Sequence, residues 1–205
     1  VLNMMILNLP VEKIGSEMYE LLTMANQTTE DVFSLLDNLL KWTKSQIGNL
    51  NVVYQDIDVV EVVDSVIDVF NIVAGLKKIT IREEKPEKLP VCADIDMLKT
   101  VIRNLLSNAI KFSNENSEVL VKMEEQGDMA VISVKDNGCG IDEEGQKKLL
   151  HTDTHFSTFG TNNEEGSGLG LLLCQDFVVK NGGKLWFTSK KGEGSTFYFS
   201  VPLKK

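Results

Sequence analysis

Arg103-Asn104-Leu105-Leu106-Ser107-Asn108-Ala109-Ile110-Lys111-Phe112 sorts its residue types by helical face. At about 100° per residue, Asn104, Asn108 and Lys111 fall within roughly 60° of one another, whereas Val101, Leu105, Ala109 and Phe112 share a different, apolar face. Two amides and an ammonium therefore point one way. Asn is a mediocre helix former, so two of them mid-helix ahead of a Lys carry a propensity cost that a polar site would justify. Amide oxygens suit a hard divalent cation, and a Lys beside them suits phosphate. Taken alone, the stripe is explained equally well as a solvated helix face.

Two glycine elements lie downstream of it. Asp136-Asn137-Gly138-Cys139-Gly140-Ile141 follows a strand directly. Glycines one residue apart let backbone approach a ligand closely, and an Asp at a strand end offers a fixed acceptor for an N–H donor. Gly166-Ser167-Gly168-Leu169-Gly170-Leu171 lies just before a helix, where free backbone N–H groups and the positive end of the macrodipole favour phosphate. It is not the dinucleotide fingerprint, since no βαβ unit surrounds it, and it lacks the Lys-Ser/Thr ending of a P-loop. Each element alone is equally compatible with an ordinary turn.

Around these motifs the spacing predicts a mixed α/β domain. Strands are expected at 51–57, 78–83, 91–93, 118–125, 129–136, 184–189 and 196–201, with helices over 59–73, about 94–112 and 169–180. Gly127-Asp128 reads as a hairpin turn and Lys190–Gly194 as another. The stretch 150–167, with six Ser or Thr residues and little periodicity, reads as a long loop of the kind that is usually functional.

Taken together and in this order, an Asn-x-x-x-Asn helix, a strand-borne Asp-x-Gly-x-Gly, a loose loop and Gly-x-Gly-x-Gly before a helix resemble the ATP-binding domain of sensor histidine kinases. That domain lies within the larger group shared with the Hsp90, gyrase B and MutL ATPases. The resemblance covers residues 51–205 and implies an α+β fold, a two-layer sandwich of mixed sheet with helices on one face. Asn104–Phe112 resembles the N box, Asp136–Gly140 the G1 box, His155-Phe156-Ser157-Thr158 part of the lid and Gly166–Gly170 the G2 box. The resemblance implies that Asn108 coordinates Mg²⁺, with Asn104 supporting the metal and phosphate region, and that Lys111 neutralises phosphate charge. It implies that Asp136 accepts the adenine amino group while Gly138, Gly140 and Ile141 close around the nucleotide. Gly166, Ser167, Gly168, Leu169 and Gly170 would hinge the lid and offer amides to the phosphates. Water-activating ATPases of the group carry a Glu where Asn104 stands, and an amide cannot serve as a general base. The expected chemistry is therefore transfer of phosphate to a protein side chain.

The preceding residues fit the same family. Between Ser16 and Gln46, apolar residues recur at Met18, Leu21, Leu22, Ala25, Val32, Leu35, Leu36, Leu39 and Trp42, the pattern of one long amphipathic helix. Residues 1–50 thus resemble a partial dimerisation and histidine-phosphotransfer hairpin, which implies a homodimer through a four-helix bundle and a response-regulator receiver as partner. The acceptor His is missing: the only histidines are His151 and His155, in or beside the lid. It is expected upstream of Val1, so that the chain as it stands does not phosphorylate itself. Between His151 and Ser167 there is no Lys or Arg, while Glu164 and Glu165 add negative charge, so His155, when protonated, is the available compensation at the γ-phosphate. That shortage motivates an alternative, a degenerate nucleotide-binding dimerisation module without kinase activity. A Ser-directed relative of the anti-sigma kinases ranks third, since such kinases generally lack the long hairpin.

Composition limits the remaining options. The 205 residues carry 21 Lys+Arg against 30 Asp+Glu, a formal charge of −9, which argues against nucleic acid as a partner. With 42% apolar and 25% charged residues the chain is in the globular range. No apolar run approaches the roughly 20 residues of a membrane span. The three cysteines, Cys92, Cys139 and Cys174, suit a reducing compartment. The expected setting is the cytoplasm, as a free chain or as the cytoplasmic part of a membrane-anchored sensor, with no direct membrane contact by these residues.

Overall fold

The computed structural model describes residues 51–149 and 170–204, and of the N-terminal stretch Leu36, Leu39, Leu40 and Thr43. The chain divides into two compact units, Val1–Ile47 and Gly48–Lys205. The four described residues of the first unit are helical, and Thr43 Oγ1 donates back to Leu39 O (2.9 Å). The rest of the expected hairpin lies outside the described residues.

In the second unit the elements are β1 (Gln55–Asp58), α1 (Val59–Leu76), β2 (Thr80–Glu84), β3 (Pro90–Ala93), α2 (Ile95–Phe112), β4 (Glu118–Gln126), β5 (Met129–Lys135), α3 (Glu143–Lys148), α4 (Gly170–Lys180), β6 (Leu185–Lys190) and β7 (Gly194–Pro202). Five strands form one sheet in the order β2-β4-β5-β7-β6. β2 runs parallel to β4 and the other neighbours are antiparallel. β1 and β3 form a separate antiparallel ribbon.

Alternation of side chains gives the sheet its two faces. Val119, Val121 and Met123 of β4 line up with Val134 and Ile132 of β5 and with Phe197 and Phe199 of β7, and all are buried. The intervening row, Lys122, Ser133, Tyr198 and Trp186, stays partly exposed, with the Trp186 and Tyr198 rings stacked at 5.3 Å. Helices α1, α2 and α4 cover the apolar face, burying among others Val63 and Ile67, Leu98, Ile102 and Leu105, and Leu173 and Phe177. The result is the two-layer α+β sandwich expected from the sequence. At about 25 cal/mol per Å² of apolar area, this interface is the main favourable term in folding.

Three boundaries depart from the sequence reading. The strand expected from Asn51 starts only at Gln55, because its partner β3 ends at Ala93 and the Val53 N–H is taken by the Asp94 carboxylate (2.9 Å). α1 continues past Val73, exposing Val69, Ile72, Val73 and Leu76 along one stripe. The sequence reading has no counterpart of α3: it is a single short helix capped by Asp142, whose Oδ1 accepts from Gly145 N (2.9 Å), and six residues are too few to carry a periodic signal.

Candidate functional site

α2 carries the amide stripe and is held at both ends. Asp94 caps the start, its Oδ1 accepting from Asp96 N and Met97 N, each at 3.0 Å. At the other end Lys77 Nζ donates to Ile110 O (3.3 Å) and Lys111 O (3.0 Å), a cation placed on the last carbonyls of the helix. Val101, Leu105 and Ala109 are buried against the core, so Asn104, Asn108 and Lys111 are left half-buried on the opposite side. Phe112, expected with the apolar group, is also half-buried, with Lys111 Nζ 5.5 Å from its ring centroid. Asn104 donates Nδ2 to Thr100 O (3.0 Å), and its Oδ1 lies 2.8 Å from where a Cβ on Gly170 would stand. Gly170 opens α4 and is thereby seated directly on the first amide of the stripe.

The Asp136 turn meets the far end of the same helix. A Cβ on Gly138 would stand 2.0 Å from Phe112 O, so only glycine lets the turn pass there. Asp136 is 4% exposed. Its Oδ1 accepts from Gly138 N (2.9 Å) and Ser195 N (3.2 Å), and its backbone N–H donates to Ser195 O (2.9 Å). Both side-chain bonds are on Oδ1, and among the described residues Oδ2 accepts none. Burial pushes the carboxyl above its ordinary value, opposed by the backbone bonds from Gly138 and Ser195.

The β6–β7 hairpin braces the Asp136–Ile141 turn, a role the sequence reading does not give it. Gly192 N donates to Cys139 O (2.7 Å), and Ile141 N donates to Ser189 Oγ (2.8 Å). Gln146 Nε2, from α3, donates to Ile141 O (2.8 Å) and Ser189 O (3.0 Å). Gly194, at φ +95°, has no room for a side chain because a Cβ would stand 2.2 Å from Asp136 O. A signal existed: Gly192-Glu193-Gly194-Ser195 repeats the spacing of Gly138 and Gly140 and ends on a residue whose backbone binds Asp136.

The structure thus brings Asn104, the Phe112 end of α2, Asp136, Gly138 and Gly170 into one connected neighbourhood. His155, Gly166, Ser167, Gly168 and Leu169, also expected at the site, lie outside the described residues, as do His151, Glu164 and Glu165. The three cysteines are free thiols; Cys174 is buried between α4 and α2, and burial pushes its thiol far up.

The model of the histidine kinase-, DNA gyrase B- and HSP90-like ATPase family matches residues 93–205. The chain belongs to this family. Among curated relatives of this ATPase family, the adaptive-response sensory kinase SasA of Rippkaea orientalis is 31% identical over 171 residues, which are 82% of this chain and 43% of the relative. The sensor histidine kinase WalK of Bacillus subtilis is 29% identical over 186 residues, 90% of this chain and 30% of that protein. The chain therefore spans less than half the length of these relatives. Among solved structures, the nucleotide-free catalytic domain of histidine kinase ThkA matches with a TM-score of 0.63 at 29% identity, over 73% of this chain and 95% of that domain. ThkA in complex with response regulator protein TrrA shares the fold more widely, with a TM-score of 0.70 at 23% identity over 92% of this chain and 51% of that one. The domain is of the histidine-kinase type.

Proposed function

We propose that this chain is the cytoplasmic catalytic portion of a two-component sensor histidine kinase. It binds Mg-ATP and transfers the γ-phosphoryl group to a histidine on a helical segment outside residues 1–205, from which the phosphate passes to a receiver Asp. The observation that carries the reading is Asp136: a nearly buried carboxylate whose Oδ1 accepts two backbone N–H groups while Oδ2 accepts none among the described residues, at a turn seated on the end of the amide-bearing helix. A buried acceptor of that kind suits a neutral ring with an exocyclic amino group, such as adenine.

Position supports the remaining roles. Asn104, Asn108 and Lys111 share one half-buried stripe that leads from Gly170 toward the Asp136 turn. The side-chain oxygen of Asn108 fits Mg²⁺, a hard cation that is commonly held by few protein oxygens together with phosphates. When bound, that ion would neutralise charge on the phosphates. Lys111 adds a second positive charge to the same region, and Asn104 positions the phosphate end through its contact with Gly170. None of these side chains on α2 is a general base, which favours transfer to a protein acceptor over hydrolysis. The lid residues, His155 among them, would cover the nucleotide, and Gly166, Ser167, Gly168 and Leu169 would offer backbone amides to it.

A homodimer through residues 1–50 is supported by Leu36, Leu39 and Leu40, which stand on one helical face at 50%, 39% and 59% exposure in the single chain. A receiver-domain partner is supported by the ThkA–TrrA complex. Among the described residues no helix is long and apolar enough to cross a membrane.

The test has two parts. Calorimetry of ATP with and without Mg²⁺ is expected to show binding that Asp136→Asn weakens about 100-fold. The chain extended upstream is expected to gain acid-labile, base-stable phosphate from labelled ATP. An extended chain that binds ATP yet never acquires label would leave the degenerate nucleotide-binding module as the correct reading, which the absence of Lys and Arg between His151 and Ser167 favours. A chain indifferent to ATP would overturn both.

A further inference from the structure

Asp94 does more than cap α2. While Oδ1 closes the helix, Oδ2 accepts the Val53 N–H (2.9 Å), and the backbone N–H of Asp94 donates to Asn181 Oδ1 (2.7 Å). Asn181 is 1% exposed and passes the connection on, donating Nδ2 to Phe177 O (2.8 Å) and approaching Met97 Sδ (3.5 Å). Beside it, the Tyr54 hydroxyl donates to Lys180 O (2.6 Å). One polar node therefore ties together the segment at Val53-Tyr54, the start of α2 and the end of α4.

The position of this node in the helix pair gives it a consequence. α2 and α4 run antiparallel: Asn181 lies by Met97, Cys174 Sγ lies 3.9 Å from Val101 O, and Gly170 lies against Asn104. Between the ends, apart from the long Cys174 Sγ bond to Val101 O, the contact is apolar, through Leu98, Val101, Leu173 and Phe177, all buried. Apolar packing is non-directional and fixes axial register weakly, whereas hydrogen bonds have sharp distance and angle requirements. The node is thus the place where the register of the pair is set. Asn104 sits roughly 15 Å away along α2 at 1.5 Å per residue, at the opposite end of the pair.

We infer that Tyr54, Asp94 and Asn181 form a positioning bracket that sets α2 against α4, and with it the seating of Gly170 on Asn104. The segment that enters the domain at Val53-Tyr54 then governs nucleotide affinity from the end remote from the nucleotide. Only this last step rests on the nucleotide reading proposed above; the register can be measured without nucleotide.

Two mild substitutions in the full chain test the bracket. Tyr54→Phe removes one hydroxyl from a half-exposed side chain, and Asp94→Asn keeps a competent N-cap while losing the acceptor for Val53 N–H. Amide hydrogen exchange without nucleotide is expected to accelerate by about 5-fold at Leu105–Ala109 and Leu171–Leu173, a change on the scale of one hydrogen bond. ADP affinity is expected to fall by a similar factor of about 5, with the thermal midpoint within about 4 °C of the parent. Faster exchange confined to residues 53–54, 94–97 and 177–181, with ADP affinity unchanged, would reduce the node to a local structural tie and overturn the inference. If the parent itself fails to bind ADP, the nucleotide reading falls, and the exchange pattern still decides the bracket.

Discussion

Asp136 and Asn108 are both proposed to face the nucleotide, yet the chain holds them in contrasting ways. Asp136 is nearly buried, and the turn around it is bonded to β7, to the β6–β7 hairpin and to the end of α2. Asn108 stands half-buried on a helix that is capped by other residues, Asp94 and Ser113. A buried carboxylate that recognises a neutral ring must be fixed by other bonds before the ligand arrives, because desolvating it is costly. A phosphate region works with charge, which acts at longer range and tolerates side chains that adjust. The proposed base end is therefore built in advance, and the proposed phosphate end keeps side chains that can adjust.

Four measurements probe that contrast. The largest effect is expected from Asp136→Asn, which keeps an acceptor for Gly138 and Ser195 and replaces Oδ2 by a donor: nucleotide affinity falls about 100-fold, close to 2.7 kcal/mol. The same variant is expected to melt at or above the parent temperature at neutral pH. Because burial raises the folded-state pKa of Asp136, ionising it is a penalty that is complete above that raised value. The penalty disappears as pH falls through the window between the raised value and the ordinary 3.8, so the stability gap between variant and parent should close there. A variant that melts well below the parent at pH 7.5 would show that the turn depends on the charge.

Gly138→Ala comes next. A Cβ 2.0 Å from Phe112 O forces backbone to move, at a cost of about 2–3 kcal/mol or roughly 5–10 °C in Tm. A thermal midpoint within 2 °C of the parent would mean that the turn yields easily and the base end is not preformed. Asn108→Ala should leave Tm nearly unchanged and weaken ATP by about 10-fold in Mg²⁺ but little in chelator. Equal weakening in both conditions would place the metal elsewhere. The smallest effect is expected from Ser189→Ala, which removes the acceptor of Ile141 N and the donor to Gly194 O, for about 1 kcal/mol by thermal melting. A change near zero would show that Gln146 and Gly192 hold the turn without it.

Much of this was legible in the sequence, for identifiable reasons. The stripes of α2 and the alternation of β4, β5 and β7 are local periodicities, and each appears where expected. Asp136 was marked by its place between a strand and paired glycines. What escaped notice had no local pattern: α3 is too short to show a period, and the strand expected at Asn51 was displaced by the Asp94 carboxylate. The Gly192–Ser195 turn looked like an ordinary hairpin, because its partner at Asp136 lies 59 residues away from Ser195.

Residue type and spacing were sufficient to set which side chains share a face, since a helix repeats every 3.6 residues and a strand every two whatever surrounds them. The resemblance adds that an amide stands at Asn104 where water-activating relatives carry a Glu. Packing alone decided that Gly170 rests on Asn104, that α2 and α4 run antiparallel from a node at Asp94 and Asn181, and that Gly138 and Ser195 both donate to the same oxygen of Asp136. Those pairings join positions far apart along the chain, and only burial and hydrogen-bond satisfaction in the folded core select them.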